Sequence, residues 1–118
     1  MAERWIYHVC KATEWKEANK AGVYPGSSQD QADGFIHFSS GKQLQVSVAK
    51  HRAGQDDLVL LEVDGALLGQ KLIWEKSRGG QLFPHLYGEL PLTAVRRNGA
   101  VRLGEDGKHL LPDWFDLC

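Results

Sequence analysis

Cysteine is nearly absent. Cys10 and Cys118 are the only two in 118 residues, and they form neither a CxxC pair nor a disulfide framework. A small secreted scaffold held by cross-links is thereby excluded, and a reducing compartment, the cytoplasm, is the expected home. Long apolar runs are missing as well. No segment approaches the roughly twenty uninterrupted apolar residues of a membrane span. The start Met-Ala-Glu-Arg-Trp has no apolar core of signal-peptide type. Charge of one sign is also scarce, since 14 basic and 15 acidic residues give a net charge of -1. That balance does not support a broad electrostatic grip on nucleic acid or on an anionic membrane. Walker and Rossmann glycine loops, a GxSxG elbow, HExxH and cysteine–histidine fingers are all lacking. Without repeats, linkers or low-complexity tracts, the chain reads as one domain over residues 1–118.

What is present is ordinary in bulk and odd in one respect. Apolar residues at 42% and charged residues at 25% place the chain among globular domains. Its 13 glycines argue for tight turns and a β-containing fold. The odd feature is histidine set inside apolar segments: Trp5-Ile6-Tyr7-His8-Val9-Cys10, Gly34-Phe35-Ile36-His37-Phe38-Ser39, and Leu82-Phe83-Pro84-His85-Leu86-Tyr87. Burying an imidazole is costly unless it finds hydrogen-bond partners. Three such placements point to a shared pocket, whereas any one alone is more often a satisfied structural histidine.

The pattern predicts strand, helix, strand, helix, then mostly strands, which is an α+β class. A first strand covers Trp5 to Cys10. With Thr13 as N-cap, a helix over Glu14 to Lys20 turns Trp15 and Ala18 inward and ends at Gly22. Val23 to Asp33 reads as a loop around Pro25-Gly26, either a lid or a plain connector. After the strand Gly34 to Phe38, Ser40 to Gln43 fits a capping box that opens a helix over about Lys42 to Arg52. Leu58 to Asp64 is the clearest strand, apolar enough to be central and covered on both faces. Leu72 to Glu75 is a short strand before a flexible Ser77-Arg78-Gly79-Gly80. Pro84 predicts an edge strand or extended loop. Asn98-Gly99 signals a type I′ hairpin, and Asp106-Gly107 a last turn that returns a strand through His109 to Leu111.

Among polar residues, Glu75 closes an apolar strand beside Trp74, where it can orient a histidine, hold a sugar hydroxyl, or pair with a basic neighbour on the surface. Glu89 is a second candidate. Glu62 and Asp64 mark the end of the central strand. His51, late in a helix, suits the negative end of the dipole, and His109 is expected to face solvent. Cys10 reads as a small buried hydrophobe. Ser39-Ser40 is explained by capping. Three histidines and a carboxylate are adequate zinc ligands, but no local spacing supports a metal site.

The order Ile-Tyr-His, short helix, Asp-Gly-Phe-Ile-His-Phe-Ser, Trp-Glu, then Phe-Pro-His-Leu-Tyr-Gly resembles the domain-of-unknown-function family 952 over nearly the whole chain. That family is similar in turn to the ADP-ribosyltransferase superfamily, which includes the RNA 2′-phosphotransferases. The resemblance implies a small, strongly bent mixed or antiparallel sheet with two short helices. It implies NAD as a substrate, a small-molecule nucleotide ligand and no metal. By position, His8 matches the first-strand histidine that holds a ribose hydroxyl and the nicotinamide, and His37 matches the second-strand element of that pocket. Ser39 follows in the Gly-x-(x)-His-x-Ser-like segment, and Tyr87 joins the set of cofactor contacts. For the third catalytic element, Glu75, His85 and Glu89 are the candidates. Two alternatives stand beside this transferase-like reading: a nucleotide- or metabolite-binding domain without chemistry, and a histidine-metal hydrolase.

Overall fold

The strand Leu58–Asp64 (β5) is apolar on both faces because it is covered on both faces. In this computed structural model, which describes residues 4–115 and only the backbone of Arg78, β5 lies between Trp5–Lys11 (β1) and Val95–Leu103 (β9). Leu61 and Val63 enter one core with Ile6, Cys10, Ala18, Tyr24 and Phe38. Leu58 and Leu60 enter a second with Tyr7, Val9, Leu44, Val48 and Val101. The period of two along β1 assigns its residues in the same way: Ile6 and Cys10 to the first core, Tyr7 and Val9 to the second. His8 therefore points toward the first core. Cys118 and the start at Met1 to Glu3, both part of the sequence expectations, lie outside the described residues.

Ala12–Ala21 (α1) runs longer than the sequence pattern implies. Its N-cap is Lys11 rather than Thr13, because Glu14 Oε1 accepts from the Lys11 N–H at 2.8 Å. Gly22, at φ 82°, closes it with a bond from its N–H to the Ala18 carbonyl. Val23–Tyr24 (β2) follows and later pairs with Leu90–Pro91 (β8). The expected loop to Asp33 holds a further helix, Ser28–Asp33 (α2), so three α-helices and not two are found among the described residues. Leu44–His51 (α3) is preceded by the expected Ser40–Gln43 box, in which each residue's side chain bonds the other's N–H. The box holds the turn before the helix, since α3 starts only at Leu44. Ser39, by contrast, is a strand residue and not part of a cap.

Ile36–His37 (β3) and Ser39–Ser40 (β4) are separated by Phe38 alone. β4 pairs with β1, completing a five-stranded sheet that ends in His109–Leu110 (β10), in the order β10-β9-β5-β1-β4. β3 pairs with Leu82–Leu86 (β7), which also pairs with Leu72–Lys76 (β6). Every strand pair described is antiparallel, and the chain curls as a half-barrel of α+β class rather than a mixed sheet.

Two local expectations are overturned by long-range pairing. Pro84 does not mark an edge, for β7 is the middle strand of its sheet. Its carbonyl accepts from Phe38 N–H at 3.0 Å, at the point where β3 ends, so the missing proline N–H costs little. Asn98-Gly99 does not turn either. Both sit inside nine-residue β9, paired with Leu61 and Leu60. Glycine is required there by close approach: a Cβ would meet Pro112 at 2.8 Å and Trp114 Nε1 at 2.9 Å. The last turn does form, with Gly107 at φ 82° and His109–Leu110 (β10) returning along β9. His109 is partly buried rather than solvent-facing, its Nε2–H donating to the Gln55 carbonyl at 3.0 Å.

Candidate functional site

Strand register decides which side chains meet. His37 pairs with His85, and His85 pairs with Ile73, while Phe83 pairs with Glu75. Alternation then places His37, Phe83, His85, Ile73 and Glu75 on one face of the three-stranded sheet. The His37 and His85 rings lie 5.5 Å apart, edge to face. Phe35, just ahead of β3, stacks on His85 at 4.2 Å and reaches both His37 and Tyr87. His8, His37, Ser39 and His85 all line one groove of about 1390 Å³, together with Lys42 and Lys50.

Each histidine is held differently. His8 is buried beneath the groove. Its Nδ1–H donates to the His37 carbonyl at 2.6 Å, and its Nε2 accepts from the Tyr24 hydroxyl at 2.8 Å. Burial pushes its pKa down, against the pull of nearby Asp30, so the ring is neutral and both nitrogens are committed. Tyr24 is itself pushed up by burial and stays protonated.

His37 is the opposite case. Its Nδ1 lies 2.6 Å from Asp30 Oδ1 and its Nε2 lies 3.1 Å from Asp33 Oδ2. The bond to Asp30 raises its pKa, and the charges of both carboxylates add to that. An imidazolium with both N–H groups donating is the result. Asp30 is buried, which alone would raise its pKa. The bond from the His37 side chain, the neighbouring His8 and the bonds from Ser27 N–H and His37 N–H outweigh burial and hold it at about 2.

His85 leans on Glu75. Its Nδ1–H donates to Glu75 Oε1 at 2.8 Å, and the Tyr87 hydroxyl donates to the same oxygen at 2.7 Å. Those two bonds, Tyr87 first, lower the Glu75 pKa, and the bond to Glu75 raises that of Tyr87. The role of orienting a histidine, one of three open for Glu75 in the sequence, is the one it takes. Glu89 stands apart from this cluster, exposed beside Val23, Leu67 and Lys71. Glu62 and Asp64 are tied to Arg97 and Arg4 respectively, away from the histidines.

Asp30, Asp33, Tyr24 and Phe35 escaped the reading of the sequence. The signal for Asp30 is Ser27-Ser28-Gln29-Asp30, a capping box in which Ser27 Oγ accepts from Asp30 N–H and Asp30 Oδ2 from Ser27 N–H. With Gly34 as the left-handed C-cap, these marks delimit α2 and place Asp33 four residues before His37. Among the described residues no group of three or more His, Cys, Asp or Glu side chains is placed to hold a metal ion. No helix among them is long and apolar enough to cross a membrane.

The model of a family described as protein of unknown function, DUF952, matches residues 9–98. The chain belongs to that family. The match takes in His37, Glu75 and His85 and begins one residue after His8. The crystal structure of protein CC0527 from Caulobacter crescentus is 46% identical, covers 91% of this chain and 94% of its own, and superposes with a TM-score of 0.87. The solution structure of the same protein is 46% identical over 88% of this chain and 90% of its own, with a TM-score of 0.79. No curated protein matches.

Proposed function

We propose that the groove binds a nucleotide of ADP-ribose type, NAD foremost, and that the chain acts on the bond joining ribose C1′ to nicotinamide. The observation that carries this reading is the His37–His85 pair, two imidazoles 5.5 Å apart, each anchored by its own carboxylate at one groove. The ordering of histidines along β1 and β3 is similar to that of ADP-ribosyltransferase-like enzymes, which supplies the substrate class. Breaking the C1′–N bond sends the electron pair to nicotinamide and leaves an oxocarbenium-like ribosyl centre. Such a centre is favoured by fixed carboxylates nearby and by tight positioning of the ribose.

The side chains divide these tasks. His8 acts from beneath, fixing the His37 carbonyl and with it the strand. His37 supplies its Nε2–H to a ribose hydroxyl once exposed Asp33 swings aside, while buried Asp30 keeps Nδ1. Ser39 and the lysines Lys42 and Lys50 line the same groove, which suits a pyrophosphate. Tyr87 acts by holding Glu75.

A second reading, nucleotide binding without chemistry, is favoured by one fact: both ring nitrogens of His37 are already occupied by carboxylates. Calorimetry with NAD and ADP-ribose, followed by assay of nicotinamide release, separates the two. Binding with release, both lost in His37→Ala, is the expected result. Binding without release selects the second reading, and no binding of either compound overturns both.

A further inference from the structure

We propose that His85 is a general base toward the acceptor, positioned by Glu75, and that the acceptor is water or an alcohol hydroxyl rather than a carboxylate or phosphate. This rests on the NAD reading above for the donor.

The three groove histidines differ in what their ring nitrogens already do. The Nε2 lone pair of His8 is taken by the Tyr24 hydroxyl. Both nitrogens of His37 carry protons that go to Asp30 and Asp33. His85 places its one N–H, on Nδ1, against Glu75 Oε1, so the lone pair resides on Nε2. That nitrogen has no hydrogen-bond partner among the described residues. No fully buried side-chain nitrogen or oxygen among them lacks a partner, so Nε2 keeps a narrow access although the His85 side chain is only 8% exposed. His85 lines the groove and Glu75, which holds its Nδ1, does not, so Nε2 is taken as the groove-facing nitrogen. A base whose far nitrogen is bonded to a fixed carboxylate is the arrangement that general-base histidines share on unrelated folds.

The choice of acceptor follows from proton accounting. A carboxylate or phosphate attacks C1′ with no proton to lose and needs no base. Water and alcohols must shed one. In the step proposed, the acceptor oxygen bonds to C1′ as the C1′–N bond breaks. Nicotinamide departs neutral with the bonding pair, and the O–H proton passes to His85 Nε2. The resulting imidazolium donates to Glu75, whose charge Tyr87 helps to hold. With water the products are ADP-ribose and nicotinamide, and the proton then leaves His85 for solvent.

The test compares nicotinamide release from NAD by wild type, His85→Asn, Glu75→Gln and Glu75→Asp, in buffer alone, with methanol and with azide. His85→Asn is expected to slow release to water and methanol by about 10²–10⁴-fold, the usual worth of a positioned base. Azide, which has no proton to lose, restores release in His85→Asn and yields the azido sugar nucleotide by mass spectrometry. Glu75→Gln lowers kcat with KM unchanged, and Glu75→Asp recovers part of it. Release by His85→Asn at the wild-type rate, or a slow variant that binds NAD yet gains nothing from azide, overturns the assignment. Wild-type protein that binds NAD without releasing nicotinamide overturns the catalytic reading itself, and this proposal with it. Should His85→Asn fail to fold by circular dichroism, the kcat-against-KM result of the two Glu75 variants decides.

Discussion

Asp30 Oδ1 lies 2.6 Å from His37 Nδ1 and 3.2 Å from the His37 backbone N–H, so a single buried oxygen fixes both the ring and the main chain of one residue. The helix that carries Asp30 is thereby latched to the strand that carries His37. Gly26 makes the latch fit: its backbone, at φ 97°, passes so near that a Cβ there would stand 2.8 Å from Asp30 Cβ.

Removing the charge at this latch should be read in the titration of His37. Its folded pKa is raised, so its contribution to stability is complete below the unfolded value near 6.5 and is lost as pH rises through the folded value. In Asp30→Asn the raised pKa should fall back toward 6.5 or below. Imidazole proton shifts followed by NMR against pH measure this directly, and an unmoved His37 titration would contradict the latch.

The acid limb has the opposite sign. Asp30 falls from 3.8 to about 2 on folding, so its stabilisation is present above pH 4 and disappears as pH drops through about 2. A shift of that size corresponds to about 2 kcal/mol. Urea unfolding at pH 5 and at pH 2 should show this loss in wild type and a smaller one in Asp30→Asn.

Glu62 offers a contrast, since it does not line the groove although its partner Tyr7 does. It is buried and accepts two bonds from Arg97, at 3.0 Å each, and one from Tyr7 at 2.9 Å. Burial and that bond raise the Tyr7 pKa to about 12. Glu62→Ala leaves Arg97, itself 38% exposed, without its counter-ion and takes the acceptor from Tyr7, and should destabilise the chain by about 1–3 kcal/mol in denaturant titrations. Nicotinamide release per folded molecule should not change.

Gly99→Ala tests the correction at Asn98-Gly99. The added methyl must displace Pro112 and Trp114, an overpacking that costs about 1–3 kcal/mol. Because Trp114 also stacks under Arg97, at 4.6 Å, its fluorescence should report the displacement. Were the pair a hairpin turn, alanine would instead disturb the loop and leave Trp114 unaffected.

Tyr24→Phe withdraws the donor to His8 Nε2 and leaves a buried acceptor unpaired, at a cost of about 1–3 kcal/mol. Thermal or chemical unfolding checks the loss. A stability equal to wild type would mean that Tyr24 does not hold His8.

How much of this was legible in the sequence depended on whether the cause was local. The apolar segments Trp5 to Cys10 and Leu58 to Asp64 declared their strands because each carries its packing in its own pattern. The Ser40–Gln43 box did the same for α3. The convergence of His8, His37 and His85 on one groove was also foreshadowed, since buried imidazoles demand partners. What failed was set by distant residues. Pro84 became central because β6 and β3 close on either side of β7. Asn98-Gly99 stayed extended because the β5 ladder outweighs a two-residue turn preference. Asp30 and Asp33 were passed over inside a segment dense in Ser, Gln, Asp and Gly, whose polarity masked a six-residue helix.

The single residue between β3 and β4 has a consequence for chain length. With Phe38 the sole joint, the segment from Ile36 to Ser40 serves two ladders at once, one anchored on β7 and the other on β1. An inserted or deleted residue there shifts one ladder by a step, and a one-step slip turns every side chain over. The groove would then be offered Ile36 or Phe38 where it now has an imidazole, so this stretch is expected to tolerate exchange of residues far better than any change in their number.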